Sequence, residues 1–242
     1  MPILVISDIH ANQTALEAVL RDAGTVDEVW CLGDLVGYGP DPNQCVQIIR
    51  DLPHLTCLMG NHDAAVVGDI DIDAFNAEAR QSIGWLKDQI SAESLDYLRS
   101  LPASKMIGDV TLAHGSPRNP VWEYILDTRT ARANFNYFST RLCLVGHSHL
   151  PLFFHMNEGS DVMTPGLAED HRVMTLNGRS ILNPGSVGQP RDRDPRAAYA
   201  LFDPEARTWE IHRVEYDILS VQGRIRDAGL PIRHALRLSE GW

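Results

Sequence analysis

The chain has 242 residues, of which 44% are hydrophobic and 22% charged, an ordinary globular composition with enough length for a sizeable core. Its formal net charge of −11 disfavours binding to nucleic acid or anionic lipid, unless bound cations reverse the sign locally. It has neither a basic leader nor an apolar run of about 18 residues, so we expect a cytoplasmic protein that makes no membrane contact.

The first sixty residues alternate between apolar runs and amphipathic stretches. Three apolar runs are predicted strands covered on both faces, at residues 2–7, 28–33 and 55–60. Two amphipathic stretches between them are predicted helices, at residues 12–24 and 41–53. Asn12 and Asp41 are their predicted N-caps. The βαβαβ order predicts parallel strands joined by helical crossovers.

The remainder of the chain becomes β-rich after a helical insertion at about 73–100. The insertion is predicted to hold two acidic amphipathic helices, the second starting at the capping sequence "SAES" (91–94). Between predicted strands at 110–113 and 142–146 lies an irregular segment, 115–140, long enough to be a functional lid. Further strands are predicted at these places: 104–107, 151–156, 171–176, 180–185, 197–203 and 208–214.

A last helix is predicted at about 216–228, and the acidic stretch 157–170 is predicted to be an exposed turn. No repeat, low-complexity tract or clear linker interrupts the chain, so we expect one domain over residues 1–242. Four cysteines lack a C-x-x-C pair and are expected to be buried small hydrophobes: Cys31, Cys45, Cys57 and Cys143.

Half of the ten histidines follow directly after an apolar, strand-like run: His10, His62, His114, His147 and His149. Two carboxylates and an amide occupy equivalent places: Asp8, Asp34 and Asn61. The carboxyl ends of strands in an open α/β sheet share one edge, so these eight side chains are expected in one crevice. The other five histidines lack this context and are expected to be ordinary: His54, His155, His171, His212 and His234.

The residue types at the strand ends indicate a metal centre. Mixed histidine, aspartate and asparagine ligands without thiolate suit manganese, iron, zinc or nickel better than copper(I) or an iron–sulfur cluster. One ion does not need seven protein ligands, since catalytic sites keep positions open, whereas two ions sharing a carboxylate do. The spacing of His147 and His149 in "GHSH" points both rings the same way, so each is able to serve one of two adjacent ions.

In chain order the strand ends spell D-x-H, G-D, G-N-H-D, H and G-H-x-H, a set that resembles the calcineurin-like metallophosphoesterase superfamily over residues 1 to about 213. The resemblance implies an α/β fold, a four-layer α/β/β/α sandwich of two mixed sheets flanked by helices. It also implies two divalent ions, manganese being expected and iron, zinc or nickel the alternatives.

The resemblance assigns one ion to Asp8, His10, Asp34 and His149. It assigns the other to Asp34, Asn61, His114 and His147, so that Asp34 bridges the two. His62 matches the family histidine that acts near the leaving group, and Asp63 is expected to orient local structure. The implied reaction is hydrolysis of a small phosphorylated substrate, as a phosphodiesterase, by a hydroxide that bridges the two ions.

The stretch "GDLVGYGPDP" departs from the protein-phosphatase branch, which resembles G-D-x-x-D-R-G, because Gly37 and Tyr38 replace its second acid and its arginine. The chain looks closer to the small bacterial and archaeal phosphodiesterase-like branch. A non-catalytic interaction scaffold on the same fold is the rival class, and the complete ligand set with His62 argues against it. A nuclease is the second rival, and the acidic composition argues against it.

Four side chains are candidate substrate contacts: Asn12, Arg118, Arg191 and Arg196. The arginines lie in "HGSPRNP" and in "NPGSVGQPRDRDPR", and guanidinium groups match phosphate oxygens in pairs. A solvated charged loop explains the arginines equally well, and helix capping explains Asn12 better than a place at the metals. The aromatic residues Trp122, Tyr124, Phe135 and Tyr137 are expected in the core rather than on a base-stacking surface.

Overall fold

A computed structural model describes residues 2–157, 159 and 162–242 of the chain. Within these residues two mixed sheets of six strands each are present. The first sheet has the spatial order β3 (Leu55–Cys57), β2 (Val29–Cys31), β1 (Ile3–Ile6), β11 (Ala197–Asp203), β12 (Thr208–Val214) and β9 (Met174–Thr175). The second has the order β4 (Ser104–Ile107), β5 (Val110–Ala113), β6 (Leu142–Leu144), β10 (Gly178–Leu182), β7 (Leu152–Asn157) and β8 (Met163–Leu167).

Eight helices of the described residues flank the two sheets. They are α1 (Gln13–Ala23), α2 (Pro42–Arg50), α3 (Asn61–Val67), α4 (Ala77–Gln89), α5 (Ala92–Arg99), α6 (Thr128–Asn134), α7 (Ile218–Asp227) and α8 (Ile232–Glu240). A short 3-10 helix spans Ile72–Ala74. Across the described residues, every helix is too short or too polar to cross a bilayer.

Strand β1 shows why the layers stack as they do. Its residues alternate, so Leu4 and Ile6 face α1 and α2 in one core while Ile3 and Val5 face the second sheet in another. The core between the sheets also holds Trp209 of β12. A third core packs α6 against the outer face of the second sheet. The order helix, sheet, sheet, helix confirms the predicted four-layer sandwich.

The strands that carry the histidines are divided between the two sheets. Strands β1, β2 and β3 run parallel in the first sheet, and β5 runs parallel to β6 in the second. Because the two sheets pack face to face, their carboxyl ends share one rim of the sandwich. The predicted crevice is therefore built by two sheets rather than by the edge of one.

Several elements differ from the prediction. Strand β8 lies inside the stretch 157–170 that was expected to be a turn, of which residues 158, 160 and 161 lie outside the described part. Helices α3, α6 and α8 were not predicted, α3 and α6 being only seven residues long. Asn12 caps α1 as expected, its Oδ1 accepting from the Ala15 amide at 3.1 Å.

Asp41 occupies the N-cap position of α2 as predicted, but its side chain makes no capping hydrogen bond. Its two carboxylate oxygens instead accept from Arg224 Nε at 3.1 Å and Arg224 Nη2 at 2.8 Å. This ion pair connects α7 to the start of α2. A local sequence pattern could not predict it, because the two residues are far apart along the chain. Ser91 caps α5 as predicted, because its Oγ accepts a hydrogen bond from the Ser94 amide. A full capping box would have glutamate or glutamine where this chain has Ser94.

Candidate metal centre

Eight polar side chains converge at the rim where three strands of the first sheet (β1, β2 and β3) and two of the second (β5 and β6) end. All are buried, with exposed fractions of at most 4%: Asp8, His10, Asp34, Asn61, His62, His114, His147 and His149. Asp8 and His10 follow β1, and Asp34 follows β2. This much buried polar surface needs compensation by hydrogen bonds, ion pairs or metal ions.

The backbone of the predicted ligands is strained. Five of the seven have a positive φ, between 49° and 63°: Asp8, His10, Asp34, His147 and His149. Left-handed backbone is uncommon for residues other than glycine, and such conformations gather where a fixed arrangement is functionally required. In this conformation each chain segment turns sharply at its strand end, and its side chain points into the crevice.

Four histidines donate one ring N–H to a backbone carbonyl. His10 Nδ1 bonds Val36 O at 3.2 Å, and His114 Nδ1 bonds Leu32 O at 2.9 Å. His149 Nδ1 bonds Gln189 O at 2.6 Å, and His147 Nε2 bonds Trp122 O at 3.2 Å. Since a carbonyl only accepts, these contacts fix the tautomers. In a neutral ring the second nitrogen then keeps a lone pair that points inward, which is how proteins prepare histidines for metals.

The inward atoms meet without proton donors between them. His10 Nε2 and His149 Nε2 lie 3.1 Å apart, although both rings carry their proton on Nδ1. His149 Nε2 is also 3.4 Å from Asp8 Oδ1. Lone pairs facing each other at these distances repel, and a shared cation between them removes the repulsion. The distances are close to those between neighbouring ligands of one ion, about 3.0–3.4 Å for bonds of 2.1 Å.

Asp34 stands between two sets of ligand atoms. Its Oδ2 is buried without a hydrogen-bond partner, 3.6 Å from His10 Nε2 on one side and 3.4 Å from His114 Nε2 on the other. Around it, ligand atoms lie within 4.8 Å of one another in three groups: Asp8 with His10 and His149, His10 with Asp34 and His62, and Asp34 with His114 and His147. Asn61 Oδ1 is 3.2 Å from His114 Nε2.

His62 and Asp63 hold the loop that carries Asp34. The His62 amide donates to Asp34 Oδ1 at 2.9 Å, while the buried His62 Nδ1 has no partner. The Asp63 carboxylate accepts from the amides of Leu35 at 3.3 Å, Val36 at 3.2 Å and Gly60 at 3.0 Å. The Asp63 side chain thus connects the segment after β2 to the segment after β3 through hydrogen bonds from their backbone amides.

Protonation of the cluster follows from burial and from Asp34. Burial lowers the pKa of His10, His147 and His149 well below the usual range, so these rings are neutral. Burial is the largest single effect on Asp34 and opposes its ionisation, but electrostatic interactions with His114, His62 and His10 together outweigh burial and lower the pKa of Asp34. Burial would likewise lower the pKa of His114, yet Asp34 raises it to about 9. A cation beside Asp34 would take over the charge that protonated His114 supplies.

The comparisons with known proteins identify the family. Residues 1–207 match the family model described as the calcineurin-like phosphoesterase superfamily domain. The chain belongs to this superfamily. As a calcineurin-like phosphoesterase it is a metal-dependent phosphoesterase, and the converging lone pairs around Asp34 fit the divalent ions that such proteins use. Both the predicted family and the predicted fold class are confirmed.

Two full-length relatives are similar to this phosphoesterase. A metallophosphoesterase from Sphaerobacter thermophilus, known from a crystal structure, is 49% identical, with a TM-score of 0.90 over 100% of this chain and 99% of that one. An uncharacterized protein of Methanocaldococcus jannaschii is 42% identical over 239 residues, which cover 95% of this chain and 93% of the relative.

A partial match points to a named activity. A symmetrical bis(5'-nucleosyl)-tetraphosphatase of Photorhabdus laumondii is 30% identical over 117 residues. The matched segment covers 42% of each chain, which is less than half of either protein.

Of the four candidate substrate contacts, the structure turns Arg191 towards the cluster. Its guanidinium lies 5.9 Å from the ring centre of Tyr38, and its charge acts on Asp8 and His149. Arg191 Nη2 donates to Gln189 Oε1 at 3.2 Å, while the buried Nε has no partner.

The other three candidates have partners of their own. Asn12 uses Oδ1 for the helix cap and donates from Nδ2 to the Gly188 carbonyl at 3.0 Å. Arg118 pairs with Glu123, and Arg196 pairs with Asp170 and Asp194.

Aromatic side chains around the cluster were not assigned to the site from the sequence. Tyr38 packs between His10 and His62, with ring centres 4.6 and 4.4 Å away. Tyr124 was expected in the core but is 45% exposed and stacks on His147, with ring centres 3.8 Å apart. Their positions in the sequence could have indicated that they lie near the site. Tyr38 follows Asp34 by four residues, and Trp122 and Tyr124 lie in the irregular segment after His114.

Proposed function

We propose that the protein is a phosphodiesterase that binds two divalent ions, one on each side of Asp34. The observation that carries this proposal is Asp34 Oδ2, a buried carboxylate oxygen without a hydrogen-bond partner, flanked at 3.6 and 3.4 Å by the inward ring nitrogens of His10 and His114. A single ion between Asp34 and one of these histidines would leave the ligand-type side chains on the other side of Asp34 without a cation.

Two ligand sets follow from this arrangement. Asp8, His10 and His149 would hold one ion with Asp34, and Asn61, His114 and His147 would hold the other, again with Asp34. The carbonyl contacts behind the four histidines support these assignments, since each orients the other ring nitrogen inward. Manganese is the expected ion, because nitrogen and oxygen donors without thiolate suit it, and iron, zinc and nickel are the alternatives.

When bound, the two ions would supply an activated water and neutralise charge on the phosphoryl oxygens. The chain itself supplies the remaining functions. Arg191 donates to a phosphate oxygen from a guanidinium that faces the cluster. Burial lowers the pKa of His62 to about 4, so its ring is neutral at pH 7 and keeps one N–H. That N–H hydrogen bonds to the departing oxygen, while the His62 amide keeps Asp34 oriented.

A small phosphodiester is the proposed substrate class. A diester carries one negative charge, which a single guanidinium and two cations already outweigh. Tyr38, which stands where the protein-phosphatase branch has arginine, adds an aromatic surface and no charge. The name of the Photorhabdus laumondii relative makes a dinucleoside polyphosphate the second substrate to test.

The experiment compares wild type with Asp34→Asn on bis(4-nitrophenyl) phosphate, with manganese added to metal-free protein. We expect wild type to hydrolyse the diester and Asp34→Asn to lose activity. Asp88→Asn, which removes an exposed carboxylate from α4, is the matched control and should retain it. Near-normal turnover of Asp34→Asn with two ions bound would contradict the bridging role.

The same assay separates the proposed function from its rivals. 4-Nitrophenyl phosphate and diadenosine tetraphosphate are added as monoester and polyphosphate substrates, and faster hydrolysis of either would overturn the diester assignment. If wild type holds two manganese ions and hydrolyses none of the three, the interaction-scaffold alternative replaces the enzyme. Retention of single-stranded DNA at low salt would favour the nuclease instead.

A further inference from the structure

A second group of ligand-type side chains lies outside the metal centre, on β12. It consists of His171, Glu210 and His212 and is called here the β12 cluster. Glu210 and His212 flank Ile211, which is fully buried in the core between the sheets. Because strand residues alternate in direction, Glu210 and His212 share the opposite face of the first sheet.

The backbone brings His171 to this face. Asp170 forms a bridge with Ile211, and the His171 amide donates to the Ile211 carbonyl at 2.8 Å. His171 adopts a φ of 57°, which is costly for a residue with a side chain. The segment is thereby fixed beside the strand, and the His171 ring meets the His212 ring edge-on with centres 4.6 Å apart.

The distances in the β12 cluster match a small ion better than hydrogen bonds. Glu210 Oε1 is 3.5 Å from His212 Nε2 and 3.7 Å from His171 Nδ1, beyond ordinary hydrogen-bond length. One ligand atom from each residue lies within 4.8 Å of the other two. Ligands of a tetrahedral zinc ion with bonds of 2.0–2.1 Å are about 3.3–3.4 Å apart, so small side-chain rotations suffice.

Two buried atoms at the cluster lack partners. His212 Nε2 and Asp170 Oδ1 are inaccessible to solvent and make no hydrogen bond. Asp170 Oδ1 lies 3.7 Å from His171 Nε2, on the side of the ring opposite Glu210. A carboxylate behind a histidine is the usual support of a metal ligand. Arg196 bonds the other Asp170 oxygen at 2.9 Å and holds the carboxylate in place.

The His212 ring is held in place by its neighbours. Tyr199 stacks on the ring at 4.9 Å and fixes its plane.

We propose that the β12 cluster is a separate site for one zinc-class divalent ion, bound by His171, Glu210 and His212 with water in the fourth position. Three protein ligands of the types His, His and Glu, of which His171 is exposed to solvent, form an open zinc site. The ion would fasten the segment around residue 171 to β12. The proposal does not depend on the phosphodiesterase activity.

The test counts zinc ions bound per chain. Metal-free protein is dialysed against buffered zinc, and bound zinc is measured by mass spectrometry for wild type, His171→Ala and His54→Ala. His54 is the matched control, since it is also exposed and also has a positive φ, of 48°. We expect His171→Ala to bind one zinc ion fewer than wild type and His54→Ala to bind the same number.

A spectroscopic measurement accompanies the count. Imidazole nitrogen spectra of the intact protein should show zinc-dependent shifts of His212 that disappear in His171→Ala, while manganese-dependent diester hydrolysis by that variant stays at the wild-type level. Equal zinc stoichiometry in wild type and His171→Ala would overturn the proposal. Zinc shifts of His212 that persist unchanged without His171 would overturn it as well.

Discussion

Asp63→Asn tests whether the residue after His62 acts on structure or on chemistry. Asp63 is fully buried, and its two oxygens accept three backbone amides, those of Leu35, Val36 and Gly60. Asparagine keeps one acceptor oxygen and turns an NH2 group towards at least one of these donors. Leaving one buried amide unsatisfied costs about 1–3 kcal/mol, and loss of the charge weakens the remaining bonds.

The total destabilisation is therefore about 2–4 kcal/mol. For a chain of this length each kcal/mol lowers Tm by roughly 2–4 °C, so we expect a decrease of roughly 5–15 °C. Domains are typically stable by about 5–15 kcal/mol, so the variant should remain folded at 25 °C. Because the lost bonds anchor the segments that carry Asp34 and Asn61, manganese affinity should fall by about 10–100-fold.

Thermal unfolding, manganese titration and diester hydrolysis at saturating manganese check this prediction, with Asp88→Asn as the charge control. We expect activity at saturating manganese to return to within about tenfold of wild type, since supporting residues act mainly through ligand placement. An unchanged Tm together with activity lost at every manganese concentration would refute the reasoning and place Asp63 among the reacting groups.

Three further predictions concern the loop, the leaving group and pH. Gly60→Ala should reduce bound manganese, because a Cβ there would overlap the carboxylate proposed to bridge the ions, whereas Gly84→Ala on α4 meets open space and should not. His62→Ala should lower kcat with metal content intact; loss of metal by mass spectrometry would make His62 a ligand instead. The hydrogen bond from Arg118 lowers the pKa of Glu123 to about 2, from an ordinary 4.5. The stabilisation that ionised Glu123 gives the fold is present above pH 4.5 and is lost as the pH falls towards 2. Over that pH range the Tm of wild type should therefore decrease more than the Tm of Glu123→Gln.

The strand ends could be predicted because their signal is local. A continuous apolar run specifies a buried strand, and the next polar residue must lie at its carboxyl end, so Asp8, Asp34 and His114 were found without tertiary information. The same rule could not tell that two sheets share the rim. That arrangement depends on β11 pairing antiparallel to β1, which is a long-range contact.

The features that sequence analysis missed are those made by segments distant along the chain. Asp41 lies at the N-cap position of α2, but its carboxylate pairs with Arg224 of α7 instead of capping the helix. Tyr124 and the carbonyl of Trp122 reach His147 from an irregular segment whose path no periodicity describes. Likewise, His171 does not follow an apolar run in the sequence. Its contacts with Glu210 and His212 depend on a long-range backbone hydrogen bond to β12.

The direct test of the two-ion claim is a crystal structure of manganese-loaded protein with anomalous scattering. We expect two manganese peaks about 3.5–4 Å apart, on opposite sides of Asp34 and each within bonding distance of that carboxylate. A single peak at saturating manganese, or two peaks of which neither contacts Asp34, would contradict it.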